Sequence, residues 1–412
     1  MSKSFIFDSF SAEMSLIVTV MVYWLLFVSI PTWIVVALVT VLFFSAFIEM
    51  LRPCGAAPTM YYKDSAFSRF LLKNIPRLSI PYKPPCWAKN PNIQTLVKTY
   101  IIDQGETRFE RHFLQLKDRG VVALDWALAQ GSTSIMRKSR PVVILLPDLM
   151  TDARNLMYTC QKSLQQGFRP MVFNRRGHGN SPLTTPKLQS YGDPSDLRQV
   201  VKYIRSKLPN ARVTAIGYGA GADLLLAYLG EFGSSAYLAA GVAVSPLFDP
   251  ERLYTGSMPQ PYEVLGLLAS KRLVASHGEG LKKTVDVQQA LSCHKLADLE
   301  RHVYWKMAGC DNSEQYWEKN APLRDADDIS TPVLCITSHD DPLVVDEAIP
   351  YDVFQVYPQM LLVTTNYGGH CGFLEWGPDG LRSWADLIAL DFVESVLEFS
   401  SKEERRLKSA TR

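Results

Sequence analysis

The sequence predicts an α/β fold: a mostly parallel β-sheet covered by helices, with a helical lid insertion and an N-terminal transmembrane segment. Three observations predict it. Short apolar, β-branched runs alternate with helical patterns from Pro141 to Thr364, the rhythm of parallel strands joined by covering helices. That rhythm breaks over 247–330, where helical stretches mix aromatic and charged residues. Finally, Glu13 and Glu49 bracket a charge-free apolar stretch longer than the roughly 20 residues one membrane crossing needs.

Composition narrows the classes. The chain has 412 residues, 47% apolar and 20% charged, as in folded rather than disordered proteins. A net charge of +2 gives no electrostatic basis for a nucleic-acid partner. The seven cysteines (Cys54, Cys86, Cys160, Cys293, Cys310, Cys335 and Cys371) are scattered, with no CxxC or zinc-like spacing. Neither a disulfide scaffold, a metal site nor a cofactor is expected.

The elements follow in order. The apolar stretch within 1–52 reads as a membrane anchor, one span rather than a re-entrant hairpin. Lys and Arg after it place the following domain in the cytosol by the positive-inside rule, with the endoplasmic reticulum as the default membrane. Residues 53–95 form a proline-rich connector with one amphipathic helix near Ser65–Lys73. The domain at 96–400 opens with a hairpin, strands 107–115 and 120–127 around the turn Asp118-Arg119-Gly120. Strands Pro141–Leu146, Arg169–Phe173, Arg212–Ile216, Tyr237–Val244, Thr331–Ile336 and Met360–Thr364 follow, with helices at Ala153–Gln166, Asp193–Lys207 and Ala222–Leu229 between them. The lid, about 247–330, is expected to hold helices Leu265–Ala275, Val285–Cys293 and His302–Trp317, and a basic tail, 401–412, to fray or lie near the membrane.

The functional signal is the strand, small-residue turn and helix at 212–229, with Gly217-Tyr218-Gly219-Ala220-Gly221 at the turn. That is the geometry of a G-x-S-x-G nucleophile elbow, but Gly219 stands where the serine belongs. Glycine suits the strained backbone and supplies no nucleophile. Other marks are Asn90-Pro91-Asn92-Ile93-Gln94-Thr95-Leu96, Leu145-Leu146-Pro147-Asp148-Leu149, Asn174-Arg175-Arg176-Gly177, Asp341-Pro342 and Tyr367-Gly368-Gly369-His370-Cys371-Gly372-Phe373. With these, the chain resembles the membrane-anchored ABHD-type α/β-hydrolases, the type-4 AB-hydrolase family, from about Pro85 to Glu398.

The resemblance implies the α/β-hydrolase fold, a membrane anchor and lipid-ester hydrolase chemistry. It places the family's acid on Asp341, its base on His370 and its lost nucleophile on Gly219. The order of acid and base after the elbow agrees, although Asp340 is an alternative to Asp341. The oxyanion hole is expected from the backbone N–H groups of Ala220 and of Leu149 or Met150, with Asp148 replacing the family's usual glycine. Tyr218, Ser181 and Ser338 are candidate replacement hydroxyls, and Asp223 is expected to face the positive end of the elbow helix.

The leading expectation is a membrane-anchored, non-catalytic homologue that binds or regulates in lipid metabolism. The alternatives are a lipid esterase or phospholipase using His370 and Asp341 with water or another hydroxyl, and a protein-interaction platform at a membrane. The expected partner is a membrane lipid or acyl chain, with a protein as the second candidate.

Overall fold

In the computed structural model, residues 55–100, 107–129, 140–378 and 380–410 are described, together with Thr19, Ala37, Thr40, Val41 and Phe44. The chain divides into two units, Met1–Cys54 and Gly55–Arg412. All that follows concerns the second.

Among the described residues, nine strands form its main sheet: β1 (Thr59–Tyr62), β2 (Arg108–Gln115), β3 (Val121–Leu128), β4 (Val142–Leu146), β5 (Arg169–Asn174), β6 (Val213–Tyr218), β7 (Gly241–Val244), β8 (Val333–Ser338) and β9 (Met360–Thr365). Their order is β1-β9-β8-β7-β6-β4-β5-β3-β2. Pairing is parallel from β5 through β4, β6, β7 and β8 to β9. It is antiparallel at both edges, where β1 meets β9 and β3 meets β5 and β2. The proline-rich connector thus supplies an edge strand that its sequence does not announce.

Strand periodicity sorts the core into two layers. Val142, Ile144 and Leu146 of β4 pack in one apolar cluster, Val143 and Leu145 in the other. The first layer takes in helices within Ser195–Lys207 and Ala220–Phe232 and the lid; the second takes in Leu71, Cys160 and the long C-terminal helix. The helices of six or more residues are α1 (Ala66–Asn74), α2 (Pro91–Tyr100), α3 (Met157–Gln165), α4 (Ser195–Lys207), α5 (Ala220–Phe232), α6 (Gln260–Ser276), α7 (Val287–Ser292), α8 (Ser313–Asn320), α9 (Tyr351–Val356) and α10 (Trp384–Ala410). α1 starts where Ser65 caps it, accepting from the Ser68 N–H at 3.0 Å.

Two expectations about helices change. The continuous helix over His302–Trp317 is broken: Gly309 takes a left-handed φ of 65° and stops one segment, and the Asn312 side chain caps α8. The basic tail does not fray but continues α10 to Ala410.

The membrane expectations are corrected. Among the described residues no helix is long and apolar enough to cross a membrane. The longest, α10, has 27 residues but is charged through its last third, and is excluded by the cost of desolvating those groups. The stretch between Glu13 and Glu49 lies almost wholly outside the described residues. The N-terminal transmembrane segment, single-pass anchoring, the cytosolic placement and the endoplasmic-reticulum setting therefore have no support and are withdrawn.

Candidate active site

β6 delivers the chain to Gly219, which takes φ 50° and ψ −121° immediately before α5. This is the strained turn of an elbow. Tight packing explains the flanking glycine. A Cβ at Gly221 would lie 2.1 Å from the Leu146 carbonyl oxygen. Arg175, buried in the turn after β5, pins the elbow by donating to the Ala220 carbonyl at 2.8 Å and the Tyr191 carbonyl at 2.7 Å.

The loop after β9 brings His370 to the same place. Its Nδ1 lies 3.0 and 3.2 Å from the two oxygens of Asp341, which follows β8. Asp341 accepts from the Leu343 N–H at 2.8 Å. Asp340 accepts from the Gly369 N–H at 2.9 Å and so holds the loop rather than the ring. The His370 N–H donates to Thr95 Oγ1 on α2 at 2.9 Å.

Burial works against a charged imidazole here, and the Asp341 carboxylate opposes it, shifting His370 above the usual histidine range. Burial pushes the Cys371 thiol up. The thiol therefore stays neutral, and the ionic support comes from Asp341.

Asp148 fills the space that a serine side chain would need. Its Oδ1 accepts from the Ala220 N–H at 3.0 Å, the donor expected to serve an oxyanion. A Cβ built on Gly219 would lie 2.7 Å from that oxygen and 2.8 Å from His370 Nε2. The two departures from the family pattern, at 148 and 219, therefore meet at one point. Leu149 and Met150 line the cavity beside it.

The candidate hydroxyls are elsewhere. Tyr218 packs in the opposite layer and donates to Asp386 at 2.9 Å. Ser338 donates to the Gly369 carbonyl at 3.2 Å. Ser181 lines the cavity, but its hydroxyl is turned to the His178 carbonyl at 2.7 Å. Asp223 is buried in contact with Tyr191, whose hydroxyl donates to it at 2.6 Å, and with the Leu247 N–H at 3.0 Å; burial raises its carboxyl to about 7.

His370, Asp148 and Ala220 border a cavity of about 930 Å³, lined by lid residues including Leu253, Tyr254, Met258, Leu265 and Leu273. Ligand cavities run to roughly 1,000 Å³. Tyr254, Tyr262 and Tyr304 wall this space, while Trp305 stacks on Tyr316 and Trp317 meets Tyr316 edge to face outside its lining.

Sequence reasoning missed Thr95, Arg175 and Glu300. The first two lie in motifs that the resemblance marks, but only their partners reveal what they do. Glu300 sits on the cavity wall with an unpartnered buried Oε2, and burial raises its carboxyl to about 8. An unfolded glutamate ionises near pH 4.3. Between these values the folded chain holds the extra proton, so Glu300 makes stability fall as pH rises across that window. Glu300→Gln is expected to stabilise the protein at pH 8 by on the order of 4 kcal/mol, and much less near pH 4.5. Urea unfolding at the two pH values measures this, and an equal effect at both would refute it.

The family model described as serine aminopeptidase, S33 (Hydrolase_4) matches residues 137–357. The human protein ABHD15 is 34% identical over 363 residues, covering 86% of this chain and 77% of its own. Human phospholipase ABHD3 is 28% identical, covering 84% and 87%, and bovine monoacylglycerol lipase ABHD2 is 24% identical, covering 86% and 89%. The leading expectation, a membrane-anchored and non-catalytic homologue, is therefore corrected. No described helix supports the anchor, and relatives named as a phospholipase and a lipase favour the hydrolase alternative.

Proposed function

The chain belongs to the ABHD-type α/β-hydrolases, and we propose that it hydrolyses acyl esters of lipids, with His370 and Asp341 as its acid–base pair. One observation carries this reading. An imidazole held by a buried carboxylate faces a large, mostly apolar cavity bordered by the elbow. The acyl chain lies among Leu253, Met258, Leu265 and Leu273, where burying each methylene contributes about 0.8 kcal/mol. The ester carbonyl then sits near His370 Nε2. Asp341 holds the ring through Nδ1, leaving Nε2 to give and take the proton. Gly219 forms no covalent intermediate, so the attacking group comes from outside the elbow.

The test is turnover of phospholipids, monoacylglycerols and p-nitrophenyl octanoate by the full chain. His370→Ala is expected to lower turnover roughly 10²–10⁴-fold while the protein still unfolds cooperatively. Absence of wild-type turnover on every ester, or turnover indifferent to His370→Ala, would sink this reading.

A further inference from the structure

We propose that Asp148 is the nucleophile of this site, its carboxylate replacing the serine that Gly219 lacks. The inference rests on the hydrolase reading above and supplies the attacking group it needs.

Three observations converge on it. The Asp148 carboxylate lies where a residue-219 side chain would begin: a Cβ there would be 2.7 Å from Asp148 Oδ1 and 2.8 Å from His370 Nε2. The carboxylate is oriented by the Ala220 N–H at 3.0 Å. Asp148 is half-buried at the cavity wall, and Oδ2 has no hydrogen-bond partner among the described residues. The Leu149 and Met150 N–H groups, next along the same turn, have none either, which leaves them for the carbonyl oxygen of a bound ester. A serine must lose its proton to a base before it attacks, whereas a carboxylate need not. That changes what His370 has to do first. The Asp341 carboxylate 3.0 Å from Nδ1 suits an imidazolium that begins the cycle as an acid.

The cycle balances. A carboxylate oxygen of Asp148 bonds to the ester carbonyl carbon, and the bond from that carbon to the alcohol oxygen breaks. His370 Nε2–H protonates the departing alkoxide, leaving a mixed anhydride on Asp148. Water then gives a proton to neutral His370 and attacks the anhydride. The C–O bond to one carbonyl breaks, releasing the fatty acid and the Asp148 carboxylate. One proton remains on His370 and one passes to solvent. Nothing is oxidised or reduced.

The test traps the anhydride. p-Nitrophenyl octanoate has a leaving group that needs no acid, so His370→Gln should still acylate while losing the base for deacylation. Acid-quenched His370→Gln is expected to carry nearly one octanoyl group per chain, released by hydroxylamine and mapped to Asp148. Asp148→Asn in that background should carry at least tenfold less, with thermal melting confirming that both variants fold. In a single wild-type turnover in ¹⁸O-water, attack at the aspartyl carbonyl would also label Asp148.

No adduct in His370→Gln, or an adduct mapped to Cys371, overturns the proposal. So does faster turnover in Asp148→Gly, which would make the carboxylate an obstruction in the oxyanion hole. Lipid turnover without an adduct removes the nucleophile and leaves the hydrolase reading standing. An adduct at Asp148 without lipid turnover sustains the nucleophile and removes lipid esters as the substrate class.

Discussion

Restoring serine with Gly219→Ser alone is expected to leave fluorophosphonate labelling at residue 219 slow, and adding Asp148→Gly to raise it by roughly 10²–10³-fold. A single substitution fails for a local reason. The new Cβ would approach both Asp148 Oδ1 and His370 Nε2 within 2.8 Å, closer than real side chains come. Either the carboxylate leaves the Ala220 N–H or the imidazole is pushed off its line. If Asp148 stays, the new serine has no free Ala220 donor for the phosphonyl oxygen, and a carboxylate faces the developing charge. Loss of one oxyanion donor costs about 10²–10³-fold in other hydrolases, which sets the expected gain. Backbone conformation adds a smaller penalty: φ 50° at residue 219 costs a non-glycine residue about 1–2 kcal/mol. Labelling rates of the single and double variants decide the matter. Equal rates would mean that Asp148 moves aside freely and does not hold the site.

The parallel part of the sheet was legible because β4 to β9 are buried on both faces and alternate between two cores. No such pattern announced β1, whose Thr59–Tyr62 is short and only partly buried and pairs with β9 far along the chain. The acid and base were legible from chain order. What the lost nucleophile leaves behind was not. Asp148 and Ala220 are 72 positions apart, and only the fold shows that the changes at 148 and 219 occupy one volume. Thr95 is farther still from His370, 275 positions away. Tyr218 could have been placed by period two: Ile216 and Tyr218 share the layer opposite Val213 and Ala215, which turns its hydroxyl away from the cavity. The split of the lid helix at Gly309 was marked by residues that the apolar and aromatic pattern of 302–317 outweighed.

Removing the charge of Lys98 is expected to produce a large loss of stability from a position outside the cavity. Lys98 Nζ on α2 lies 2.8 Å from Asp386 Oδ2 on α10, with the two side chains 9% and 1% exposed. Asp386 also receives the Tyr218 hydroxyl at 2.9 Å and the Thr159 hydroxyl at 2.9 Å. One buried carboxylate thus joins α2, α3, α10 and the end of the elbow strand. Lys98→Met leaves that carboxylate with neutral donors only. Breaking a buried pair from one side costs about 3–5 kcal/mol, whereas replacing both members with apolar groups of similar size is often neutral. Lys98→Met is therefore expected to lose about 3–5 kcal/mol in urea unfolding, and Lys98→Met/Asp386→Leu to recover much of it. The effect reaches the site through α2, because Thr95, one turn before Lys98, holds the His370 N–H. Esterase turnover should fall with stability in the single variant. A loss below about 1 kcal/mol, or no coupling between positions 98 and 386 in the double-mutant cycle, would mean that hydrophobic contacts alone seat α2 and that the network does not position His370.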